Sequence, residues 1–269
     1  MSATRTDPES IASPGLGPVA ATSSPRKLPL DELELLASTP AVELRRSGPG
    51  RETFLCCLST GEQAVIKRFT GGPNSLRDAL RARLGRDLPR SPGRVEYDNL
   101  GALGELGIPV PRPLAFHESG RLSLVVMQRI EHDEDLRQRL ERSPGDGVRF
   151  FEGVFDAVDR LHGGGWYHRD LYLDHFLVSS QEGTLTLIDV GRARWAGAPR
   201  RRWLVKDLAA LLHSTPSALR GRPCLRFLAR WLDRRGIDSR RERRRVARAV
   251  LARARRMATH VPRGGTSYG

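Results

Sequence analysis

Two aspartates nineteen residues apart, Asp170 in the run WYHRDLYLDHFLV and Asp189 in TLTLIDVG, constrain this chain more than any other feature. Between them lie two strand-like pieces, FLVSS and TLTLID, with a glycine in the connection, a pattern that predicts a tight hairpin. The separation is about what a loop followed by such a hairpin requires. The charged cluster around Asp170 admits three readings: a metal site, a phosphoryl-transfer loop, or a solvated surface loop. The metal reading fails, because His168 and His175 stand seven apart with no cysteine nearby and match no familiar ligand spacing. The phosphoryl-transfer reading fits. His168-Arg169-Asp170-Leu171 supplies an aspartate that can orient an attacking hydroxyl and accept its proton. Asp189, at the end of the hairpin in Asp189-Val190-Gly191, is then placed to hold a magnesium ion against the β and γ phosphates of ATP.

Such chemistry also needs a cation for the phosphates, and composition narrows the choice. The net charge is +14, yet lysine occurs only at positions 27, 67 and 206. In a chain that uses arginine almost everywhere, a lysine marks a place where a compact ammonium is wanted. Lys67 closes the alternating run AVIK, soon after the turn SGPGR with Gly48 and Gly50, so its ammonium could lie beside phosphates under a glycine-containing loop. Pro49 makes that loop stiffer than a glycine-rich flap. A lysine ending an edge strand is ordinarily a solvated charge. Glu96, on the next strong helical pattern, is the counter-charge that would hold a buried ammonium in place.

The rest of the chain is ordered in two blocks. Residues 1–28 are rich in Ser, Thr, Pro, Ala and Gly and predict a disordered tail. After a short helix in DELELLAS, the runs VELRR, ETFLCCL and QAVIKRF predict three antiparallel strands. Helices are expected at 75–84 and 94–106, the second ended by GIPVPRP, followed by strands in PLAFHES and RLSLVVMQRI. From 133 onward the periodicity is mostly helical. The expected fold class is α+β: a sheet-rich lobe over 29–131 joined to a larger helical lobe over 132–260, with a flexible end at 261–269. No apolar run approaches a membrane span and the first thirty residues lack a signal-peptide pattern, so the expected location is the cytoplasm. Cys56, Cys57 and Cys224 have neither disulfide nor zinc spacing and are expected to be buried thiols.

Taken in order, Lys67, Glu96, Asp170 and Asp189 fall on a strand, a helix, a loop and a strand end, and the chain resembles the protein-kinase-like superfamily. Within it, the chain is similar to the bacterial lipopolysaccharide kinase (Kdo/WaaP) family, over about residues 40 to 215. The segment HRDLYLDHFLV resembles the family in carrying a histidine, His175, where protein kinases have a magnesium-binding asparagine. RWLVKDLAALLHS resembles it in Asp207, which matches the helix aspartate that braces the catalytic loop, and LIDVGRAR is also alike.

The resemblance implies a bilobal kinase-like fold that phosphorylates an inner-core sugar of lipopolysaccharide, heptose or Kdo, or a related glycolipid, with ATP and Mg²⁺. It implies roles for Asp170 as base, Lys67 as phosphate anchor, Glu96 as its partner and Asp189 as metal ligand, with His168 and Arg169 shaping the loop. His175 would hold a second ion weakly, accept manganese, bond a phosphate, or simply pack and bond backbone, since imidazole is a poor ligand for a hard cation. Seventeen residues between Asp189 and Asp207, without an A-P-E signature, leave little room for a peptide-docking segment. Two rivals stay open: a small-molecule or protein kinase, and a non-catalytic nucleotide-binding protein of the same fold. The arginine-rich stretch 220–256, with Arg222, Arg226, Arg230 and Arg234 at four-residue spacing, reads either as a pair of helices with a solvated face or as an attachment to the anionic face of the inner membrane. Nucleic acid ranks below both, since no binding motif accompanies the charge.

Overall fold

The computed structural model describes residues 28–38, 43–48, 50–70, 90–132, 134–179 and 183–259. The tail predicted over 1–28 lies outside them except for Leu28, which is buried. The helix expected at 75–84, Pro49 and the end at 261–269 also fall outside the described residues.

Five antiparallel strands form the first sheet: β1 (Glu43–Gly48), β2 (Arg51–Cys57), β3 (Gln63–Thr70), β4 (Pro113–Ser119) and β5 (Leu122–Gln128), in the order β1-β2-β3-β5-β4. Strand alternation sends successive side chains to opposite faces, and both faces are covered. Ala64, Ile66, Leu124 and Val126 face a small core with Leu33 of helix α1 (Leu30–Ser38). Val125 and Met127 point the other way, into the large core that includes Leu100 and Leu103 of helix α2 (Pro92–Glu105). Helix α2 starts where the sequence provides a cap: Ser91 accepts the Arg94 N–H at 3.1 Å, with Pro92 in the first turn. Lys67 therefore does not end an edge strand. Strand β3 runs on to Thr70 and lies at the centre of the sheet, paired on both sides, and Lys67 is 6% exposed.

The second part carries β6 (Glu134–Asp135), β7 (Trp166–Tyr167), β8 (Phe176–Val178), β9 (Leu185–Leu187) and β10 (Arg194–Trp195). Strands β6, β8 and β9 make a small sheet that realises the predicted hairpin, and β10 pairs with β7. Five helices surround them: α3 (Leu136–Arg142), α4 (Gly147–Gly163), α5 (Arg201–Ser214), α6 (Arg222–Arg234) and α7 (Arg240–Thr259). The first of these begins later than the pattern from 133 suggests, because Asp135 is its cap. The Asp135 carboxylate accepts the Gln138 N–H at 2.9 Å, and the Gln138 side chain accepts the Asp135 N–H at 3.2 Å. At the entry to β7, Gly165 has φ +83°, and a Cβ there would lie 2.5 Å from the Gly197 carbonyl oxygen. The close approach of these two segments needs a glycine.

The thiols are not the buried groups expected. Cys57 is exposed at the end of β2, and Cys56 and Cys224 are partly exposed; all three are unpaired. Alternation separates the first pair: Cys56 shares the core side of β2 with Phe54 and packs against the small core without being fully covered, while Cys57 faces the other way. The basic helices are amphipathic, with Trp231, Leu232, Val246 and Val250 buried. Part of their charge is already met: Arg230 pairs with Glu152, Arg234 with Asp159 at 3.0 Å, and Glu242 of α7 with Arg201 at 2.7 Å. No helix among the described residues is long and apolar enough to cross a membrane.

Candidate active site

Lys67 leaves the central strand on the side of α2, and its ammonium donates to Glu96 Oε1 and, at 3.0 Å, to Asp189 Oδ1. Glu96 is 2% exposed. A buried ion pair of this kind contributes little net stability, but it fixes where the ammonium points. Helix α2 is docked on the Asp189 segment by a residue the sequence reading missed. Asn99, one turn after Glu96 on the same face, donates through Nδ2 to the carbonyls of Val190 at 2.8 Å and Ala193 at 3.1 Å. The glycine of Asp189-Val190-Gly191 allows this contact, since a Cβ there would stand 3.0 Å from Glu96 Oε2.

Asp189 itself has φ 60°, a left-handed backbone that few non-glycine residues adopt. Its carboxylate also accepts from Arg51 Nη2 at 2.6 Å. Burial alone would raise this carboxyl, but the Lys67 ammonium and the Arg51 guanidinium outweigh it and hold the group far below the usual carboxylate range. Arg51 is the first residue of β2, directly after the turn at Gly48 and Gly50. That turn is tighter than a phosphate flap: Gly48 pairs with Arg51, which leaves two residues between them, and Gly50 has φ +72° with its carbonyl accepting from the Thr70 N–H at 2.9 Å. What the turn presents to the cleft is the guanidinium of Arg51.

The loop carrying Asp170 is held from beneath. Asp207 is fully buried on α5, and its two oxygens accept the backbone N–H groups of His168 and Arg169, each at 2.7 Å. Trp231 Nε1 donates to His162 Nδ1 at 3.0 Å, which leaves the proton of that ring on Nε2, 3.3 Å from Asp207 Oδ2. The Lys206 ammonium donates to the carbonyl of Arg169. These bonds over-determine Arg169, whose φ of 74° is otherwise unfavourable, and so aim Asp170 outward. The Asp170 carboxylate, partly exposed, accepts from Arg192 Nη1 at 2.9 Å. Its own carbonyl accepts from His175 Nδ1 at 2.8 Å. His175 Nε2 is then the ring atom that faces Asp189, 3.9 Å from Oδ2.

Among the described residues no three His, Cys, Asp or Glu side chains gather as a metal cage. Magnesium in nucleotide sites does not need one, since it takes one or two carboxylates and completes its shell with phosphate oxygens and water. The donors here fit that mode, and the Asp189 carboxylate already draws two cationic groups, Arg51 and Lys67, to Oδ1. Asp189 would hold such an ion, with His175 Nε2 beside it.

His168 is fully buried, and neither ring nitrogen has a hydrogen-bond partner among the described residues. Burial pushes its imidazole down to about 4. An unfolded histidine titrates near pH 6.5, so between these values the unfolded chain binds a proton that the folded chain does not. Stability present above about pH 6.5 is therefore lost as pH falls toward 4, by on the order of 2–3 kcal/mol from this residue. Denaturant unfolding at pH 7 and pH 4.5 should show His168→Leu losing less stability than wild type by that amount. Equal losses in the two proteins would mean that the ring protonates without leaving the fold.

Comparison with known proteins gives a consistent result. The model of the lipopolysaccharide kinase (Kdo/WaaP) family matches residues 66–231. Lipopolysaccharide core heptose(I) kinase WaaP of Pseudomonas aeruginosa is 32% identical over 165 residues, covering 55% of this chain and 62% of that protein. Its Escherichia coli namesake is 27% identical over 173 residues, covering 58% and 64%. The matches thus span less than two thirds of either relative's length. Among solved structures, WaaP in complex with acyl carrier protein superposes with a TM-score of 0.63 at 26% identity, over 84% of this chain and 90% of that one.

Proposed function

Because this chain belongs to the lipopolysaccharide kinase (Kdo/WaaP) family, we propose that it transfers the γ-phosphoryl group of ATP to a sugar hydroxyl of the lipopolysaccharide inner core, heptose or Kdo, or of a related glycolipid. The observation that carries this reading is the convergence of Lys67, Glu96 and Asp189 through direct bonds, next to a loop that presents Asp170. Lys67 and Arg51 bind the triphosphate, and Glu96 keeps the Lys67 ammonium aimed at it. A divalent ion on Asp189 would neutralise charge on the β and γ phosphates. Asp170 orients the acceptor hydroxyl and takes its proton as the oxygen–phosphorus bond forms and the bond to the β-phosphate oxygen breaks, releasing ADP. Positioning and charge neutralisation supply most of the acceleration.

The test is incubation with γ-labelled ATP and separate core-oligosaccharide, small-sugar and protein acceptors, with mass spectrometry of the products. Label in the oligosaccharide is expected. Label confined to protein or to a small free sugar would replace the acceptor, and metal-dependent ATP binding without transfer to any of them would reduce the protein to a nucleotide binder.

A partner follows from a second feature. An apolar cavity of about 100 Å³ opens between α4, α5, α6 and α7, lined by Phe151, Leu211, Phe227, Leu228 and Val250, with Leu225 66% exposed at its edge. Its apolar lining would accept a hydrocarbon chain, and since the solved WaaP is in complex with acyl carrier protein, we infer a carrier protein bearing such a chain as a partner of this one. Capture of acylated but not unacylated carrier protein would support that partnership. Attraction of the exposed arginines of α6 and α7 to an anionic membrane surface remains part of the same reading, and binding to vesicles with and without anionic lipid tests it.

A further inference from the structure

Beside Asp170, cations gather with few anions to meet them. Arg192 bonds the Asp170 carboxylate at 2.9 Å. Arg169 lies with its guanidinium 5.3 Å from the centre of the Trp203 ring, and its Nε is buried without a hydrogen-bond partner. Lys206, one of three lysines in the chain, spends its bond on the Arg169 carbonyl. Arg194 reaches the carbonyls of Gly191 at 3.1 Å and Ala193 at 2.7 Å. Asp207, the nearby carboxylate, has both oxygens committed to backbone N–H groups. The crowding is felt: burial and then Arg192 push the Lys206 ammonium down, and burial and then Arg169 do the same to Arg194. Mutually repelling cations held together by the fold form a site for an anion.

The strand pairing adds to the cluster: Arg194 lies opposite Tyr167 of β7, so its side chain is carried on the face where Tyr167 stacks on Trp203 and Arg169 lies over the same ring.

We propose that the acceptor is recognised through an anionic substituent on its sugar, a phosphate or a carboxylate, seated on Arg169, Arg192, Arg194 and Lys206. The proposal rests on the kinase reading above and deepens it. The anion draws Arg192 away from Asp170, so the carboxylate becomes available to the hydroxyl when the acceptor is in place. Water alone leaves the Arg192–Asp170 pair closed.

Three acceptors test this: native core oligosaccharide, the same material dephosphorylated with hydrofluoric acid, and the same material with its carboxyl groups reduced. The form that lacks the recognised anion should show a KM raised about tenfold or more, with the KM for ATP unchanged. Which form does so distinguishes phosphate from carboxylate. Arg194→Gln should raise the KM for native acceptor by a similar factor and have no further effect on the stripped one. Binding is followed independently of turnover by calorimetric titration with each oligosaccharide; the native form should bind about tenfold or more tighter than the stripped form. Equal KM and equal affinity for all three acceptors would overturn the proposal, as would an Arg194→Gln effect confined to ATP. Selective binding of the native form without any phosphoryl transfer would instead overturn the kinase reading and leave anion recognition standing.

Discussion

Asp170→Ala is expected to lower phosphoryl transfer by about a thousandfold or more while ATP affinity stays within a few-fold of wild type. The sign and the size both follow from where this carboxylate stands. It makes no contact with Lys67, Glu96 or Asp189 among the bonds that build the nucleotide side, so binding of the triphosphate does not depend on it. It is partly exposed and held by a single partner, Arg192, whose side chain is itself 55% exposed. Breaking an ion pair that open to water changes stability by less than about 1 kcal/mol, so lost turnover cannot be assigned to unfolding. Asp170→Asn separates two contributions: it keeps the hydroxyl oriented but cannot take its proton, and should retain more activity than alanine. Calorimetric titration with ATP together with a labelled-phosphate assay checks both. Turnover within tenfold of wild type in Asp170→Ala would remove this residue from the mechanism.

Asp207→Ala is expected to produce the largest loss of stability, on the order of 3–5 kcal/mol, and to take the activity with it. The wild-type side chain is wholly excluded from solvent and meets three donors: the N–H groups of His168 and Arg169 and the imidazole of His162. Alanine leaves all three without an acceptor in a place water does not reach, and it releases the strained Arg169 backbone. A fall of roughly 10 °C in Tm is expected for a protein of this size. Asp207→Asn should lie between, because one amide oxygen still accepts while the NH₂ group faces a donor. Thermal unfolding followed by circular dichroism decides the matter, and a change under about 2 °C would show that the loop is held by something other than this carboxylate.

Much of this site was legible before the fold was known. The spacing of Asp170 and Asp189 around a hairpin, the single lysine in an apolar strand and the glutamate on the next helix are local patterns, and the structure brings Lys67, Glu96 and Asp189 into direct contact. Other participants carried no local mark. Arg51 reaches Asp189 across 138 positions, and Arg192 was one arginine among many in a chain that places them nearly everywhere. Asn99 could have been suspected from its position three residues after Glu96, but a helical asparagine is ordinarily a solvated one. A lysine that closes an apolar run could equally be a solvated charge on an edge strand; pairing with β2 and β5 instead carries the strand on to Thr70 in the centre of the sheet and buries Lys67. Cys57 went the other way: an apolar neighbourhood in sequence did not become a buried one, because a strand turns alternate residues outward and leaves the core at its end.

Order and period belong to the linear chain, since each reflects which residues must face apolar surroundings and which must cap or turn the backbone. From them came the sheet-then-helix arrangement, the hairpin and the identity of the chemical groups. Partnership belongs to the folded molecule. Which of several like charges meets a given carboxylate depends on separations of a few ångströms between segments far apart in sequence, and electrostatic attraction at that range is decided by distance and by the exclusion of water. Hence the fold alone assigned Arg51 to Asp189 and Arg192 to Asp170, and gathered Arg169, Arg194 and Lys206 beside the Asp170 loop.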